Sequence, residues 1–414
     1  MKDKKVLSYG HIVERDVDTN FGLLPESFNT YQIVRDGDLI LRLTDLQNDK
    51  KSLRVGLVKQ TGIITSAYLK LRSNQSIDSR FAYRLLHSYD TTKVFYGMGG
   101  GLRQSMKFED FRRLPVLVPP LEEQQKIASF LDHETAKIDI LIAKQEKLIE
   151  LLKEKRQAVI SHAVTKGLNP DAPMKDSGVE WLGEVPEHWE KIAFKQVIKT
   201  RKGVAFSTSD FCDSGIRVVK ASDIKQLTLR ESDVFLPDTF TQKYPKAFLN
   251  QGNIILSTVG STPDVKNSAV GQIAMVPKEL DGTLLNQNTV IFDPIVKTID
   301  RNYLFLLLQT RAYRDHLDLH AHGTANQASL NVADMLDFKC FIPPIDEQNH
   351  IAEYLNQFLR TVSGLETKAI SAIELMKERK TALISAAVTG KIDVRHHVSH
   401  PAGNAEKQQL EQTI

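Results

Sequence analysis

Histidine and cysteine are the residue types whose spacing in this chain of 414 residues could bind a metal ion. His316, His320 and His322 are four and two residues apart, so their imidazoles could meet at one ion. No cysteine or carboxylate cluster completes such a site, and the pattern favours solvated or phosphate-facing imidazoles. Cys212 and Cys340 alone can form neither a disulfide framework nor a four-ligand zinc site. We therefore predict no metal in this chain.

The short motifs that could indicate catalysis all lack residues that the catalytic function would require. Segments 118–121 and 342–345, Val-Pro-Pro-Leu and Ile-Pro-Pro-Ile, superficially resemble the Asn/Asp-Pro-Pro-aromatic motif of amino-methyltransferases. Both lack the polar residue that would bond the target amine and the aromatic residue that would stack on it. Segment 97–102 fails the G-x-G-x-x-G pattern because Leu102 replaces the last glycine, and no Walker-type phosphate loop occurs. The sequence predicts a non-catalytic chain with no cofactor of its own.

Charge and composition narrow the class of protein. No apolar run approaches the ~18 residues of a membrane span. No apolar signal core follows the charged N-terminus, and the two cysteines suit a reducing compartment. These features predict a cytoplasmic globular protein. The net charge of +3 permits a nucleic-acid partner without requiring one.

DNA binding needs positive charge and polar side chains that reach base edges. Residues 1–118 hold 19 Lys and Arg against 13 Asp and Glu, whereas residues 174–342 hold 19 against 20. The second region must therefore concentrate its charge, and it does so over twelve residues without an acid. The basic residues of that segment are Lys191, Lys195, Lys199, Arg201 and Lys202. A merely solvated face is the alternative explanation.

An internal repeat organises the chain. Residues 119–165 align without a gap with residues 343–389, and 20 of the 47 pairs are identical. Upstream the similarity is weaker: segment 36–41 matches 251–256 at an offset of 215 residues instead of 224. The changed offset places insertions in the loops of otherwise similar domains. Each repeat thus consists of a variable part followed by a well-matched part.

The well-matched parts are predicted to be long helices. Apolar residues recur at heptad spacing over several turns with no internal proline, which is typical of a coiled coil. Gly167 and Gly390 follow the periodic stretches and predict where the helices end. The alternative is that each helix packs on its own globular domain. The predicted helix-packing residues are Leu131, Ile138, Leu141, Leu148, Leu152, Leu355, Val362, Leu365, Met376 and Leu383.

The variable parts, 1–118 and 174–342, are predicted to be mixed α/β domains, which we call the first and the second head. Short β-rich runs are bounded by Gly, Asn and Pro, and segments 79–87 and 301–309 predict short helices. The fold class is therefore α+β, with spacer helices over 119–168 and 343–392. Residues 393–414 are polar and patternless, and predict a flexible tail.

This arrangement resembles the specificity subunit of type I restriction-modification systems. The resemblance rests on the doubled layout, on the segments around Pro119-Pro120 and Pro343-Pro344, and on segment 177–189, Ser-Gly-Val-Glu-Trp-Leu-Gly-Glu-Val-Pro-Glu-His-Trp. It implies two target recognition domains, each reading one half of a split DNA sequence. It also implies that the helices pack antiparallel with pseudo-twofold symmetry as a spacer. Helices of ~30 residues would span about 45 Å, or roughly 13 base pairs.

The resemblance also implies partners and their cofactors. Methyltransferase subunits, two of them, would dock on the helices, and restriction and translocase subunits would complete the complex on double-stranded DNA. S-adenosylmethionine, ATP and Mg would belong to those partners. Because the two heads differ in sequence, the target should be asymmetric. A structural coiled-coil scaffold and a fused methyltransferase or nuclease remain as alternatives.

Sequence readers are predicted as groups, because turn formation explains any single residue equally well. One group lies in segments 42–51 and 257–267, which have the polar composition that base edges require. Another lies in the glycine-led segments 99–105 and 323–329, which resemble the family's loop beside the DNA. Together with the basic segment, the predicted DNA-binding residues are Arg42, Thr44, Lys50, Lys51, Arg103, Gln104, Lys199, Arg201, Lys202, Ser257, Thr258, Ser261, Lys266, Asn267, Asn326 and Gln327.

The first head departs from the pattern of this family. About 40 residues of the second head, from Met174 to about Asp213, have no counterpart before Val6. We therefore expect the chain to be truncated at its N-terminus, with weak or absent recognition of one half-site. Two equally protected half-sites in a footprint on a mapped target would contradict that expectation.

Overall fold

The computed structural model describes residues 4–8, 11–15, 30–44, 53–97, 105–106, 108–179, 182–225, 227–230, 232–260, 270–324 and 327–396. The chain divides into two compact units, which we describe separately. The first comprises Met1–Leu148 and Lys368–Ile414, and the second comprises Ile149–Thr367. Each unit contains one head together with parts of both long helices. None of the described helices is long and apolar enough to cross a lipid bilayer.

The helices and strands have the following bounds. The strands of the first head are β1 Lys4–Ser8, β2 His11–Arg15, β3 Gln32–Val34, β4 Leu39–Leu41, β5 Val55–Leu57, β6 Gly62–Ile64 and β7 Leu69–Leu71. Those of the second head are β8 Met174–Asp176, β9 Glu184–Pro186, β10 Glu190–Ala193, β11 Ile198–Lys202, β12 Ile216–Val219, β13 Ile224–Lys225, β14 Thr228–Leu229, β15 Phe235–Leu236, β16 Ile254–Ser257, β17 Val259–Gly260, β18 Ile273–Met275, β19 Leu284–Leu285, β20 Thr289–Pro294, β21 His322–Thr324, β22 Gln327–Ser329 and β23 Lys339–Ile342. The helices are α1 Ser79–Thr91, α2 Phe108–Phe111, α3 Leu121–Lys166, α4 Phe194–Val197, α5 Phe240–Lys243, α6 Arg301–Leu307, α7 Arg311–Leu319, α8 Val332–Leu336 and α9 Ile345–Val388.

The first head is built from two small sheets and helix α1. One sheet has the strand order β2-β1-β6-β3, and the other has the order β5-β4-β7 with antiparallel pairing. Strand β4 is apolar and buried throughout because it lies between two partners. Helix α1 is capped by the carboxylate of Asp78, which accepts hydrogen bonds from the backbone N–H groups of Arg80 and Phe81.

The second head is centred on the antiparallel sheet β11-β20-β16-β18. Strands β16 and β20 occupy its middle, where the β-branched and aromatic residues that predicted them are buried. Three aromatic rings pack beside the sheet: Phe194 lies 5.2 Å from Tyr313 and 5.0 Å from Phe338, between ring centroids. A separate small sheet, β17-β22-β21, lies where the predicted DNA-binding segments of this head come together.

The long helices α3 and α9 contain 46 and 44 residues and lie within the ranges 119–168 and 343–392 that the sequence predicts for them. Acidic residues occupy the first turn of each, where they complement the helix dipole. Gly167 and Gly390 follow the last turns with φ values of +77° and +74°, a conformation that favours glycine. The predicted ends of both helices are therefore confirmed.

The ends of the two helices meet in each unit. In the first unit, Ile127 and Leu131 near the start of α3 share a buried cluster with Ile384 and Val388 at the end of α9. In the second unit, residues 160–164 near the end of α3 share a cluster with residues 351–355 near the start of α9. The start of one helix thus meets the end of the other in both units, which confirms the predicted antiparallel coiled coil. Both clusters also include residues of the head, so the alternative of packing on a globular domain applies at the helix ends.

The buried face of each helix follows the predicted heptads only in part. Seven of the predicted helix-packing residues are buried or half-buried: Leu131, Ile138, Leu152, Leu355, Val362, Met376 and Leu383. The prediction is wrong for Leu141, Leu148 and Leu365, whose side chains are 50%, 41% and 45% exposed. At other turns of the two helices, the residues one heptad position later are buried: Ala128, Thr135, Ala163, Ala352, Ile373 and Ala387. One residue turns a side chain by about 100° around the helix axis, which carries these leucines to the outer face.

Candidate nucleic-acid interface

In the first head, a backbone hydrogen bond joins two of the predicted DNA-binding segments. The N–H of Met106 donates to the carbonyl oxygen of Leu43 at 2.9 Å. Leu43 follows strand β4 and lies between Arg42, which is half-buried, and Thr44, which is exposed. Met106 follows the glycine-led segment 99–105. The chain therefore brings the residue after the end of β4 together with the residue that follows the glycine-led segment, although Leu43 and Met106 are 63 residues apart in sequence.

The second head repeats this hydrogen bond at the equivalent position. The N–H of Leu330 donates to the carbonyl oxygen of Thr258 at 2.8 Å. The two carbonyl residues, 43 and 258, are 215 positions apart, and the two donors, 106 and 330, are 224 apart, which are the offsets of the internal repeat. Strand β17 extends the contact by pairing with β22 through Val259 and Ser329. Both heads thus use one local geometry to join their two polar segments.

A tight hairpin presents the glycine-led segment of the second head. Strands β21 and β22 pair with His322 opposite Ser329 and Gly323 opposite Ala328. A Cβ atom on Gly323 would overlap the carbonyl oxygen of Gln327, so only glycine permits this close approach. The side chains of His322, Gln327 and Ser329 are exposed. Ser329 is an exposed polar residue that is not among the predicted DNA-binding residues, whereas His322 is one of the imidazoles predicted to face solvent or phosphate.

Two predicted DNA-binding residues have polar groups that are bonded within the second head. The guanidinium of Arg201 donates from Nε and Nη2 to the Asp293 carboxylate, at 2.5 and 3.1 Å. Its Nη1 donates to the carbonyl oxygens of Lys246 and Phe248, at 3.1 and 2.9 Å. Ser257 is fully buried, and its Oγ donates to the carbonyl oxygen of Val259 at 2.9 Å. The polar groups of both residues are thus bonded within the head, and their contact with DNA stays a prediction.

The rest of the basic segment divides into exposed and paired lysines. Lys199 and Lys202 are exposed on β11 and make no ion pair within the described part of the chain. Lys195 instead contacts Asp337, with Nζ 2.8 Å from Oδ1, and lowers the pKa of that carboxyl group. Lys199 and Lys202 thus remain the predicted DNA-binding cations of this strand.

Thr258 is a predicted DNA-binding residue that is half-buried. Its backbone N–H donates to the carbonyl oxygen of Asn288, and its carbonyl oxygen accepts from the N–H of Leu330. The predicted residues that lie outside the described ranges are Lys50, Lys51, Arg103, Gln104, Ser261, Lys266, Asn267 and Asn326. For these the DNA-binding role stays a prediction.

Arg54 positions the first head's candidate segment, a role that sequence reasoning missed. Its side chain is fully buried, with Nη1 donating to the carbonyl oxygens of Thr44 and Arg42 at 2.7 and 3.3 Å. The guanidinium also lies 5.4 Å from the centroid of the Tyr96 ring. The one available signal was a lone arginine in the apolar run around β5. A charged side chain that is buried must have hydrogen-bonding partners, so this arginine could be expected to tie other segments to the strand.

Two of the three candidate metal-binding histidines form hydrogen bonds to the backbone. His316 Nε2 lies 2.7 Å from the carbonyl oxygen of Asp334, and His320 Nδ1 lies 2.8 Å from the carbonyl oxygen of His316. Burial lowers the pKa of His316. Within the described residues, no group of three or more His, Cys, Asp or Glu is placed to hold a metal ion. Cys340 is buried, which raises the pKa of its thiol and leaves it a protonated core residue.

Comparison with known families agrees with this architecture. The family described as the type I restriction modification DNA specificity domain matches residues 57–151 and 186–375. The chain belongs to this family. Each matched segment begins within a head and ends within a long helix, so the match follows the internal repeat. The family predicted from the sequence and its α+β fold are both confirmed.

Individual relatives cover most of the chain. The specificity subunit of the type I restriction enzyme MjaVIII of Methanocaldococcus jannaschii is 27% identical over 368 residues, covering 88% of this chain and 81% of the relative. The EcoBI specificity subunit of Escherichia coli is 23% identical over 293 residues, covering 69% of this chain and 60% of that protein. A chain from a structural study of assembly and conformational transition in the type I restriction-modification system has the same fold. Its TM-score is 0.67 at 16% identity, and the match covers 89% of this chain and 85% of that one.

Proposed function

We propose that this chain is the DNA-specificity subunit of a type I restriction-modification complex, in which each head reads one half of a split target. The observation that carries the proposal is the repeated hydrogen bond, from Met106 to Leu43 and from Leu330 to Thr258. It joins two polar segments in each head on a shared backbone geometry. Polar side chains held on a fixed backbone are the groups that read base edges.

The equivalent positions of the two heads carry different side chains. Arg42 and Thr44 of the first head correspond to Ser257 and Val259 of the second, because the offset between these segments is 215 residues. An exposed threonine and a half-buried valine offer different chemistry to a base edge. We therefore propose an asymmetric target whose two halves differ in sequence.

The outer faces of the long helices support docking of two methyltransferase subunits. Leu141 of α3 and Leu365 of α9 occupy equivalent positions of the repeat and are 50% and 45% exposed. The same holds for Leu151 and Leu375, which are 48% and 65% exposed. Exposed apolar residues repeated in this way fit two copies of one partner.

The catalytic work belongs to the partners in this proposal. Methyltransferase subunits would use S-adenosylmethionine, and restriction and translocase subunits would use ATP and Mg. The chain itself would be non-catalytic, acting on double-stranded DNA in the cytoplasm.

The docking face is tested by substitution of its exposed leucines. Replacing Leu141 and Leu365 by glutamate should abolish co-purification of the methyltransferase, with Glu146→Gln on α3 as an exposed control. Co-purification that survives both leucine changes would contradict docking on this face.

Mapping methylated bases in cells with and without this gene tests the proposed function. We expect one split motif with two unlike halves to lose its methylation when the gene is removed. A genome whose methylation does not change, although the protein is expressed with its partners, would contradict the proposal.

The alternatives are tested on the purified chain. A fused methyltransferase would transfer label from S-adenosylmethionine to DNA without added subunits. A structural scaffold would bind duplex DNA no more tightly at low salt than at high salt. The proposed function predicts no transfer and strongly salt-dependent binding.

A further inference from the structure

Gln124 and Gln348 are buried polar side chains that the proposed reading of DNA does not use. They are the fourth residues of α3 and α9, they occupy equivalent positions of the repeat, and both are completely buried. Glutamine is a residue that proteins normally leave exposed. Two fully buried copies at the points where heads meet helices therefore require a physical reason.

The amide of Gln124 makes three hydrogen bonds to backbone groups. Its Nε2 donates to the carbonyl oxygens of Ser76, at 3.1 Å, and Pro119, at 2.8 Å. Its Oε1 accepts from the N–H of Asp78 at 2.9 Å. One planar group thus connects the first head to the residues that lead into α3.

Gln348 makes the same three bonds in the second unit. Its Nε2 donates to the carbonyl oxygens of Thr298, at 3.0 Å, and Pro343, at 2.9 Å. Its Oε1 accepts from the N–H of Asp300 at 2.8 Å. The partners of Gln348 within the head lie 222 residues after those of Gln124, so the arrangement is repeated bond for bond.

These bonds complete the capping of a head helix from outside that helix. Asp78 and Asp300 are the N-cap residues of α1 and α6, and each side chain accepts from the first turn of its helix. In a capping box, a Glu or Gln at the third helical position would bond the N-cap N–H. Phe81 and Tyr303 stand at that position and cannot do so. The glutamine of the long helix supplies the missing acceptor instead.

We infer that Gln124 and Gln348 are positioning residues that fix the angle at which each head leaves its long helix, and thereby the number of base pairs accepted between the two half-sites. The inference rests on the proposed function.

Apolar packing alone tolerates small rotations, because hydrophobic contact is not directional. Three hydrogen bonds to one planar amide do not tolerate such rotations, because each bond has a narrow range of angles. A change of one base pair rotates a half-site by roughly 35° and moves it by about 3.4 Å, so a rigid joint should exclude it.

The variants Gln124→Glu and Gln348→Glu test this role with almost no change in size. The carboxylate can still accept from the N-cap N–H, but it loses both donors and faces two carbonyl oxygens. Exposed neighbours provide matched controls, Gln125→Glu on α3 and Asn349→Asp on α9. Gln124→Met and Gln348→Met provide uncharged variants of similar shape, in case the carboxylates prevent folding.

The measurement is binding to duplexes that carry the mapped half-sites with zero, one or two base pairs added or removed between them. We expect the wild-type protein to lose about tenfold in affinity for a change of one base pair. In the Glu or Met variants this loss should shrink to about threefold or less, while the controls behave as the wild type. Methylation mapping in cells should then show motifs with altered spacing for the variants alone.

A purely structural role would not change the spacing profile. If folded variants keep the wild-type discrimination between spacings, the inference is overturned. It is overturned equally if every variant of both glutamines unfolds its head, as judged by circular dichroism. Failure of the proposed function is a separate result, because the wild-type protein would then show no split motif at all.

Discussion

At the scale of single residues, neighbouring cations of one strand have different roles. Lys199 and Arg201 lie on the same face of β11, and Lys199 stands directly opposite Asp293 in the register of the sheet. Asp293 nevertheless bonds to Arg201, whose fork matches a carboxylate with two parallel hydrogen bonds. Lys199 therefore remains exposed and stays a predicted phosphate contact, while Arg201 ties two parts of the head together.

Stability measurements should separate these two roles. Arg201→Met should lower the free energy of unfolding of the second head by about 1–3 kcal/mol, because Asp293 and two carbonyl groups lose their donor. Lys199→Met should change it by less than about 0.5 kcal/mol. Denaturant unfolding followed by tryptophan fluorescence reports this head, since both tryptophans, Trp181 and Trp189, belong to it. Equal effects of the two changes would contradict the assignment.

His316 should make the second head sensitive to acid. Burial lowers its pKa below the ordinary value of 6.5, so the unfolded chain binds a proton at a pH where the folded head does not. Its contribution to stability is complete above pH 6.5 and is lost as the pH falls from there through the lowered pKa. His316→Gln, which keeps a donor for the Asp334 carbonyl oxygen, should lack this loss. Tryptophan-monitored unfolding between about pH 7 and 5 checks it, and parallel curves for both proteins would contradict it.

At the scale of elements, the long helices combine an inner face that packs with an outer face that is exposed. The predicted heptads found the helices and most of the packing residues, but they wrongly placed three exposed leucines in the core. Heptads with spacings of three-then-four and four-then-three residues are equally regular, so periodicity alone cannot choose between them. The leucines at 141, 148 and 365 suggested the wrong choice, because apolar character does not distinguish a core from a docking surface.

Alanine substitutions on α9 should reveal the two faces. Leu355 is fully buried in the cluster that joins the helix to the second head, so Leu355→Ala should cost about 2–5 kcal/mol. Leu365→Ala, on the outer face of the same helix, should cost less than about 1 kcal/mol. Thermal unfolding of the purified chain gives both values. A large loss for Leu365→Ala would show that this leucine is packed in solution.

At the scale of the whole molecule, charge is distributed unequally between the heads. The net charge of +3 is the sum of a basic first head, a nearly neutral second head and the helices. The second head loses further positive charge to internal pairs at Lys195 and Arg201. Its attraction to phosphate should therefore depend on few lysines, with Lys199 and Lys202 among them.

Measuring how the affinity for duplex DNA changes with salt concentration should test whether the second head relies on these two lysines. The double variant Lys199→Glu and Lys202→Glu should reduce the slope of log affinity against log salt by about 2, since each lost phosphate contact removes about one counterion from the balance. Lys297→Glu, a charge reversal near the end of β20 and outside the basic segment, serves as the control. Footprints should weaken over one half-site alone. An unchanged slope would place the phosphate contacts of this head elsewhere.

The features that repeat along the chain could be predicted from local sequence signals. Heptad spacing, the absence of proline and the following glycines specify α3 and α9, because each of these signals acts over a few neighbouring residues. Segments 79–87 and 301–309 were predicted as helices for the same reason, and α1 and α6 confirm them. The 224-residue repeat and the family followed from comparison of the chain with itself and with known motifs.

Which polar groups are already bonded depends on contacts between distant parts of the chain. Nothing local in the sequence distinguishes Arg201 from Lys199 as structural, or indicates that Gln124 would cap a helix 46 residues before it. The bond from Met106 to Leu43 likewise joins segments that no short pattern links. Such partners are distant in sequence, and a buried polar group is stable only when they arrive at hydrogen-bonding distance. That condition is set by the packing of the whole unit, which local periodicity does not encode.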